Sequence, residues 1–125
     1  MEPLFLTVAE VLAIHGDQLA RYGGAPGVRD MRLLESATAM PAVGVGDGYA
    51  HPDLFAMAAA YLFHLVRNHP FVDGNKRTGV VAALLFLDLN GVEIVAPPEA
   101  LEAMVRSVAR GDMDKAAIVV WFKGF

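Results

Sequence analysis

The sequence predicts an all-α single domain, and three observations lead to that class. Two long apolar stretches, residues 54–63 and 80–87, sit in segments of helical length. A capping box, Thr7-Val-Ala-Glu10, opens a helical pattern near the N-terminus, and strand signals are thin throughout.

The elements follow in order. A first helix is expected over residues 7–21, carrying Val11, Leu12, Ile14 and Leu19 and stopping at Gly23-Gly24, with Pro26 and Gly27 marking a loop. A second spans residues 30–39, with Met31, Leu34 and Ala37 on one face, and ends at Pro41. Residues 42–50, with Gly44, Gly46 and Gly48 around Asp47, form the most flexible stretch by composition. Pro52 suits the first turn of a third helix, with Asp53 favourable at its positive end, and that helix runs to about residue 68. A fourth starts near Asn75 and stops at Asn90-Gly91. Both of these are apolar on every side, which marks them as the buried centre of a small domain. Pro97-Pro98 opens a fifth helix through Arg110, and Gly111-Asp112 separates it from a last one reaching about Phe122. Residues 44–49 and 92–96 can each supply a short extended piece, but not a sheet able to close a core.

Composition narrows the function. At 125 residues the chain is one domain by prior and long enough to bury roughly two thirds of its unfolded surface. It has no cysteine, which removes disulfides, thiolate metal sites and a cysteine nucleophile and favours a reducing cytoplasm. Hydrophobic residues make up 55%, yet the longest apolar run, residues 54–63, is half of the about 20 residues a bilayer requires. Met-Glu-Pro at the start, without a basic stretch, does not read as a signal peptide. A cytoplasmic protein with no membrane partner is expected. A net charge of −4 works against direct nucleic-acid binding, while Arg67, Lys76 and Arg77 concentrate positive charge locally and point to a small phosphate ligand.

That charge flanks the most informative segment, His69-Pro-Phe-Val-Asp-Gly-Asn-Lys-Arg77. His69 is the side-chain type that takes or gives a proton near neutrality. Asp73 offers a hard carboxylate oxygen and Gly74 permits a tight turn. If a helix begins at Asn75, its free N–H groups and positive dipole end point into the loop. Lys76 and Arg77 are unfavourable in that first turn, a local conflict that a bound anion would relieve. Each residue alone has an ordinary structural explanation: a cap, a turn, a backbone-bonded histidine, solvated cations. The nine together do not, because Pro70 and Phe71 also tie the loop to the core. Other motifs fail. A P-loop needs Gly before Lys and Ser or Thr after it, where Asn75 and Arg77 stand. There is no His-Glu-x-x-His, no Gly-x-Ser-x-Gly, and His15, His51 and His64 read as structural or surface histidines.

The nonapeptide resembles the motif of the Fic/Doc superfamily, and its Lys76 variant is similar to the Doc, or death-on-curing, toxin branch. Phe5-Leu-Thr-Val-Ala-Glu-Val-Leu, Arg21-Tyr-Gly-Gly, Arg29-Asp, Leu34-Glu-Ser-Ala and Asn90-Gly91 extend the likeness over most of the chain. The resemblance implies a compact helical bundle with two central helices bracketing the motif loop. It also implies a toxin of a toxin–antitoxin system. Fic enzymes with Gly at the position of Lys76 transfer AMP from ATP to a protein hydroxyl. The Doc branch is implied to bind the nucleotide reversed and transfer the γ-phosphate, as a kinase does. The second arginine of the Fic pattern is Val80 here, which weakens the AMP-transfer reading. By the same resemblance His69 is the general base and Asp73 holds Mg²⁺. Gly74, Asn75, Lys76 and Arg77 cradle the transferred phosphate of ATP, and Phe71 anchors the loop. No Glu is followed by Gly or Asn, so the inhibitory helix of some Fic proteins is absent from this sequence. The implied partners are a separate antitoxin and a target, elongation factor Tu, phosphorylated on a threonine so that translation stops. Residues 44–49 are the candidate flap for the target backbone. Two alternatives stand beside this reading: AMP transfer, and a helical regulatory module without turnover.

Overall fold

A computed structural model describes residues 2–125, which form six α-helices, one 3₁₀ turn and one two-stranded hairpin. Helix α1 spans Val8–Tyr22, and its capping box closes at both ends of Thr7 and Glu10. Helix α2, Met31–Ala39, is capped by Asp30, whose carboxylate accepts the Leu33 N–H, and passes into a 3₁₀ turn over Met40–Ala42 that Pro41 enters without a break. Strands β1, Gly44–Val45, and β2, Gly48–Tyr49, pair antiparallel in the segment expected to be flexible.

Helix α3 covers Leu54–Arg67 and α4 covers Asn75–Leu89. Asp53 is the N-cap of α3, its side chain accepting the Ala56 N–H, so Pro52 lies before the helix rather than in its first turn. A capping carboxylate satisfies a free N–H of the first turn, which a proline ring cannot do. Helix α5, Pro98–Arg110, and α6, Lys115–Lys123, complete the bundle. Residues 92–96 form no strand.

The α3–α4 pair is the spine. Tyr61 lies beside Phe86, with ring centroids 5.2 Å apart, and a Cβ on Gly79 would sit 2.8 Å from Val66 Cγ2 and 3.4 Å from the Leu62 carbonyl oxygen. Residue numbers fall on one helix as they rise on the other, so the two run antiparallel, and only glycine at position 79 lets them approach this closely. Around them the core closes with Val11, Leu34, Leu65, Phe71, Ile118 and Phe122, all fully buried. Tyr61 accepts the Leu6 N–H at 2.8 Å on its hydroxyl, and burial pushes that hydroxyl's pKa up to about 12. Asn90 clamps the N-terminal segment to the end of α4 through the Leu4 N–H and carbonyl. None of the described helices is long and apolar enough to cross a membrane.

Candidate functional site

Residues 68–74 join the two spine helices, and their shape follows from a few strong local constraints. Asn68 caps α3 in the right-handed region, and His69 then turns to φ +52°, making it the one non-glycine residue with positive φ among those described. A left-handed residue after a helix end is usually glycine or asparagine, and the conformation costs other residues about 1–2 kcal/mol. Pro70 and Phe71 follow, both buried. Gly74, at φ +80°, is the left-handed residue that admits the chain into α4.

Asn75 closes the loop from inside. Its Oδ1 accepts the Phe71 N–H at 2.9 Å and its Nδ2 donates to the Phe71 carbonyl at 3.0 Å, with the side chain buried. Both ends of the carboxamide are thereby tied to the Phe71 backbone, and what Asn75 offers outward is the start of the helix. Phe71 is 0% exposed and stacks on His15, centroids 3.8 Å apart and planes 6° apart. His15, buried on α1, also bonds through Nε2 to the Asp73 carbonyl at 2.8 Å, so its Nε2 carries the proton.

Asp73 is exposed, yet its carboxylate is fixed. Oδ2 accepts the Ala25 N–H at 3.2 Å and Oδ1 accepts the Gly74 N–H at 2.8 Å. These bonds, Ala25 first, hold its pKa below the usual carboxylate range against a small opposing effect of burial, with Arg77 and His15 adding to the lowering. The Gly74 N–H is therefore held by Asp73, and the free donors of α4's first turn are those that follow it. Lys76 and Arg77 are exposed in that turn, which holds no acidic residue of its own, and neither forms an ion pair among the described residues. Arg77 Nη1 donates to the Gly23 carbonyl at 3.3 Å, and its guanidinium lies 5.2 Å from the Tyr22 ring centroid.

Lys76 and Arg77 share one wall of a groove of about 590 Å³ between α1, α4 and α5, with Tyr22 and Arg106 among its other polar residues and Val80 and Leu84 on its apolar wall. The outward side of α4 is thus partly buried rather than sealed. His69 and Asp73 lie on the loop outside that lining. A second cavity, about 450 Å³, opens at the other end of the spine near Leu54 and Leu89 and contains none of the motif residues.

The segment from Gly23 to Asp30 runs along the motif loop and bonds to it at successive points. Besides the bonds to Asp73 and Arg77, Val72 N–H donates to the Gly27 carbonyl at 3.0 Å, and the Arg29 and Asp30 N–H groups converge on the Pro70 carbonyl at 2.7 and 3.0 Å. Val28 bridges Phe71. Gly24 faces Asp73 so closely that a Cβ there would lie 2.9 Å from Oδ2. His15, Ala25 and Arg29 are members of this site that spacing alone does not reveal. The local signals are the cluster of Gly and Pro between residues 23 and 27, which marks an irregular chain able to follow another backbone, and the Arg29-Asp pair that the family likeness includes.

Fold and loop together define a class: a compact helical bundle whose two antiparallel central helices bracket an internally bonded, cation-flanked loop. A family model described as Fic/DOC family matches residues 5–87, and the chain belongs to that family. It is 42% identical over 106 residues to the protein named Toxin Doc of Mycolicibacterium smegmatis, covering 83% of this chain and 82% of that one. It is 36% identical over 110 residues to Protein kinase doc of Escherichia phage P1, covering 87% and 85%.

Proposed function

We propose that this chain is the toxin of a toxin–antitoxin pair and acts by transferring the γ-phosphate of ATP to a Ser or Thr hydroxyl of a translation factor, elongation factor Tu being the target the resemblance implies. The observation that carries the reading is the meeting, in one rigid loop, of a helix N-terminus bearing Lys76 and Arg77, an anionic Asp73 and a left-handed His69. The likeness to a toxin and to a protein kinase supports it.

In this mechanism the free N–H groups of α4's first turn and the two cations hold the terminal phosphoryl, where preorganised donors act on developing charge without reorganising. His69 accepts the proton of the target hydroxyl, and its oxygen attacks the γ-phosphorus. The bond to the bridging oxygen breaks and ADP leaves. The Asp73 carboxylate is exposed, ionised and oriented by two backbone N–H groups, so it retains lone pairs for a cation. One such carboxylate together with substrate phosphates suits Mg²⁺, which would neutralise phosphate charge when bound. Asn75 serves by clamping the loop, and Phe71 by filling the core beneath it. An antitoxin segment with an apolar face fits the wall made by Val80 and Leu84 beside the cations.

Label transfer tests the reading. With Mg²⁺ and a bacterial extract, γ-labelled ATP should label one protein of the extract and α-labelled ATP none, and His69→Ala should slow transfer by about 10²–10⁴. Label arriving only from the α position would replace this reading with AMP transfer. An unaltered rate in His69→Ala would remove His69 from the chemistry, and no label from either position, with growth inhibition unchanged in His69→Ala, would support a module without turnover.

A further inference from the structure

The motif's own residues do not account for the posture of His69. Its left-handed turn leaves two successive carbonyls, those of Asn68 and His69, at the negative end of α3, and one side chain from outside the motif takes both. Arg29 Nε donates to the His69 carbonyl at 2.7 Å and Nη2 to the Asn68 carbonyl at 3.0 Å. Arg29 is exposed and forms no ion pair among the described residues, although Asp30 is its neighbour in sequence. Its fork is given wholly to the peptide groups on either side of the His69 nitrogen and α-carbon.

We propose that Arg29 is the positioning residue of the site, holding the His69 backbone in its left-handed turn and so setting where the imidazole stands relative to the phosphate cradle. This rests on the phosphotransfer reading above. The backbone of residue 29 is bonded separately to the Pro70 carbonyl, so the strap from residues 23 to 30 stays seated when the guanidinium is removed. Loss of Arg29 therefore frees the histidine while leaving the anion-binding turn of α4, which Asn75 clamps, in place.

Kinetics of Arg29→Gln and Arg29→Lys against the wild-type chain, with nucleotide affinity and the NMR signals of His69 measured alongside, decide the matter. In Arg29→Gln, kcat should fall about 100-fold, the size a misplaced reacting group produces, with nucleotide affinity kept within about twofold. Added methylguanidine should restore part of the rate. Arg29→Lys should recover little, because a single ammonium does not reproduce a fork over two carbonyls. The His69 α-carbon shift should leave the left-handed range in Arg29→Gln. An unchanged kcat, or a fall in kcat that tracks an equal loss of nucleotide binding and melting temperature, would overturn the proposal by making Arg29 dispensable or merely a helix cap. If the wild-type chain transfers no phosphate, the function reading fails on its own. The His69 shift then decides this inference: movement in Arg29→Gln upholds it and a fixed signal ends it.

Discussion

Asn75 lies inside the loop rather than on its surface, and that location sets what its loss would do. Two buried hydrogen bonds run between its carboxamide and the Phe71 backbone. Truncation leaves a buried N–H and a buried carbonyl without partners, each costing about 1–3 kcal/mol. Asn75→Ala should therefore lower the unfolding free energy by about 2–4 kcal/mol in a denaturant titration, and a change below about 0.5 kcal/mol would mean that the clamp is not needed. Residue identity at this scale was legible only in part. The run from His69 to Arg77 stands out in sequence because its residue types conflict with the start of a helix. Its supports do not stand out, since Arg29, Ala25 and His15 reach it from 40, 48 and 58 residues away. Local patterning carries no information at that separation, and an arginine in a glycine-rich loop looks like any solvated cation.

Elements were more legible, because their ends are written in short-range chemistry. Thr7, Asp30, Asp53 and Asp114 each cap a helix, and the two capped by Thr7 and Asp30 begin within a residue of where the pattern places them. What pattern cannot give is how elements lock together, and α6 on α3 is an instance. Lys115, the first residue of α6, places Nζ 3.2 Å from His51 Nε2 and 3.5 Å from His64 Nε2. An ammonium only donates, so both imidazoles accept at Nε2 and are neutral with their protons on Nδ1. Burial first, then Lys115, then His51, pushes the His64 pKa down to about 4, and burial followed by Lys115 lowers that of His51. Between the ordinary value of 6.5 and about 4, the unfolded chain binds a proton at His64 that the folded chain refuses. The stability tied to a neutral His64 is thus complete above pH 6.5 and is lost as the pH falls towards 4. The shift corresponds to an upper bound of about 3 kcal/mol, and solvent screening of a half-exposed ring reduces the expected loss to about 1 kcal/mol. In Lys115→Met the NMR titration midpoint of His64 should rise yet stay below the ordinary value, because burial is the larger cause. A midpoint that does not move would show that the lysine exerts no field on the ring.

At the scale of the whole molecule the loop is where four parts of the fold meet: α1 through His15, the strap through Arg29 and Ala25, the end of α3 and the start of α4. The two spine helices hold many of the largest buried side chains, while Lys76 and Arg77 stand exposed at their junction without an ion pair among the described residues. A ligand that supplies the missing negative charge should stabilise the fold as a unit, since it binds an arrangement that the unfolded chain lacks. At nucleotide and Mg²⁺ concentrations a hundredfold above the dissociation constant the gain is about 2.7 kcal/mol, which raises the melting temperature of a domain this size by on the order of 10 °C. The proposed roles then separate in one set of melts. His69→Ala should keep the full rise, because a base that receives a proton from the target contributes nothing to holding the nucleotide. Lys76→Ala should lose most of it, because the charge facing the phosphoryl is gone. A rise that survives in Lys76→Ala would move the phosphate away from the first turn of α4 and dissolve the link between the cation conflict in the sequence and a bound anion.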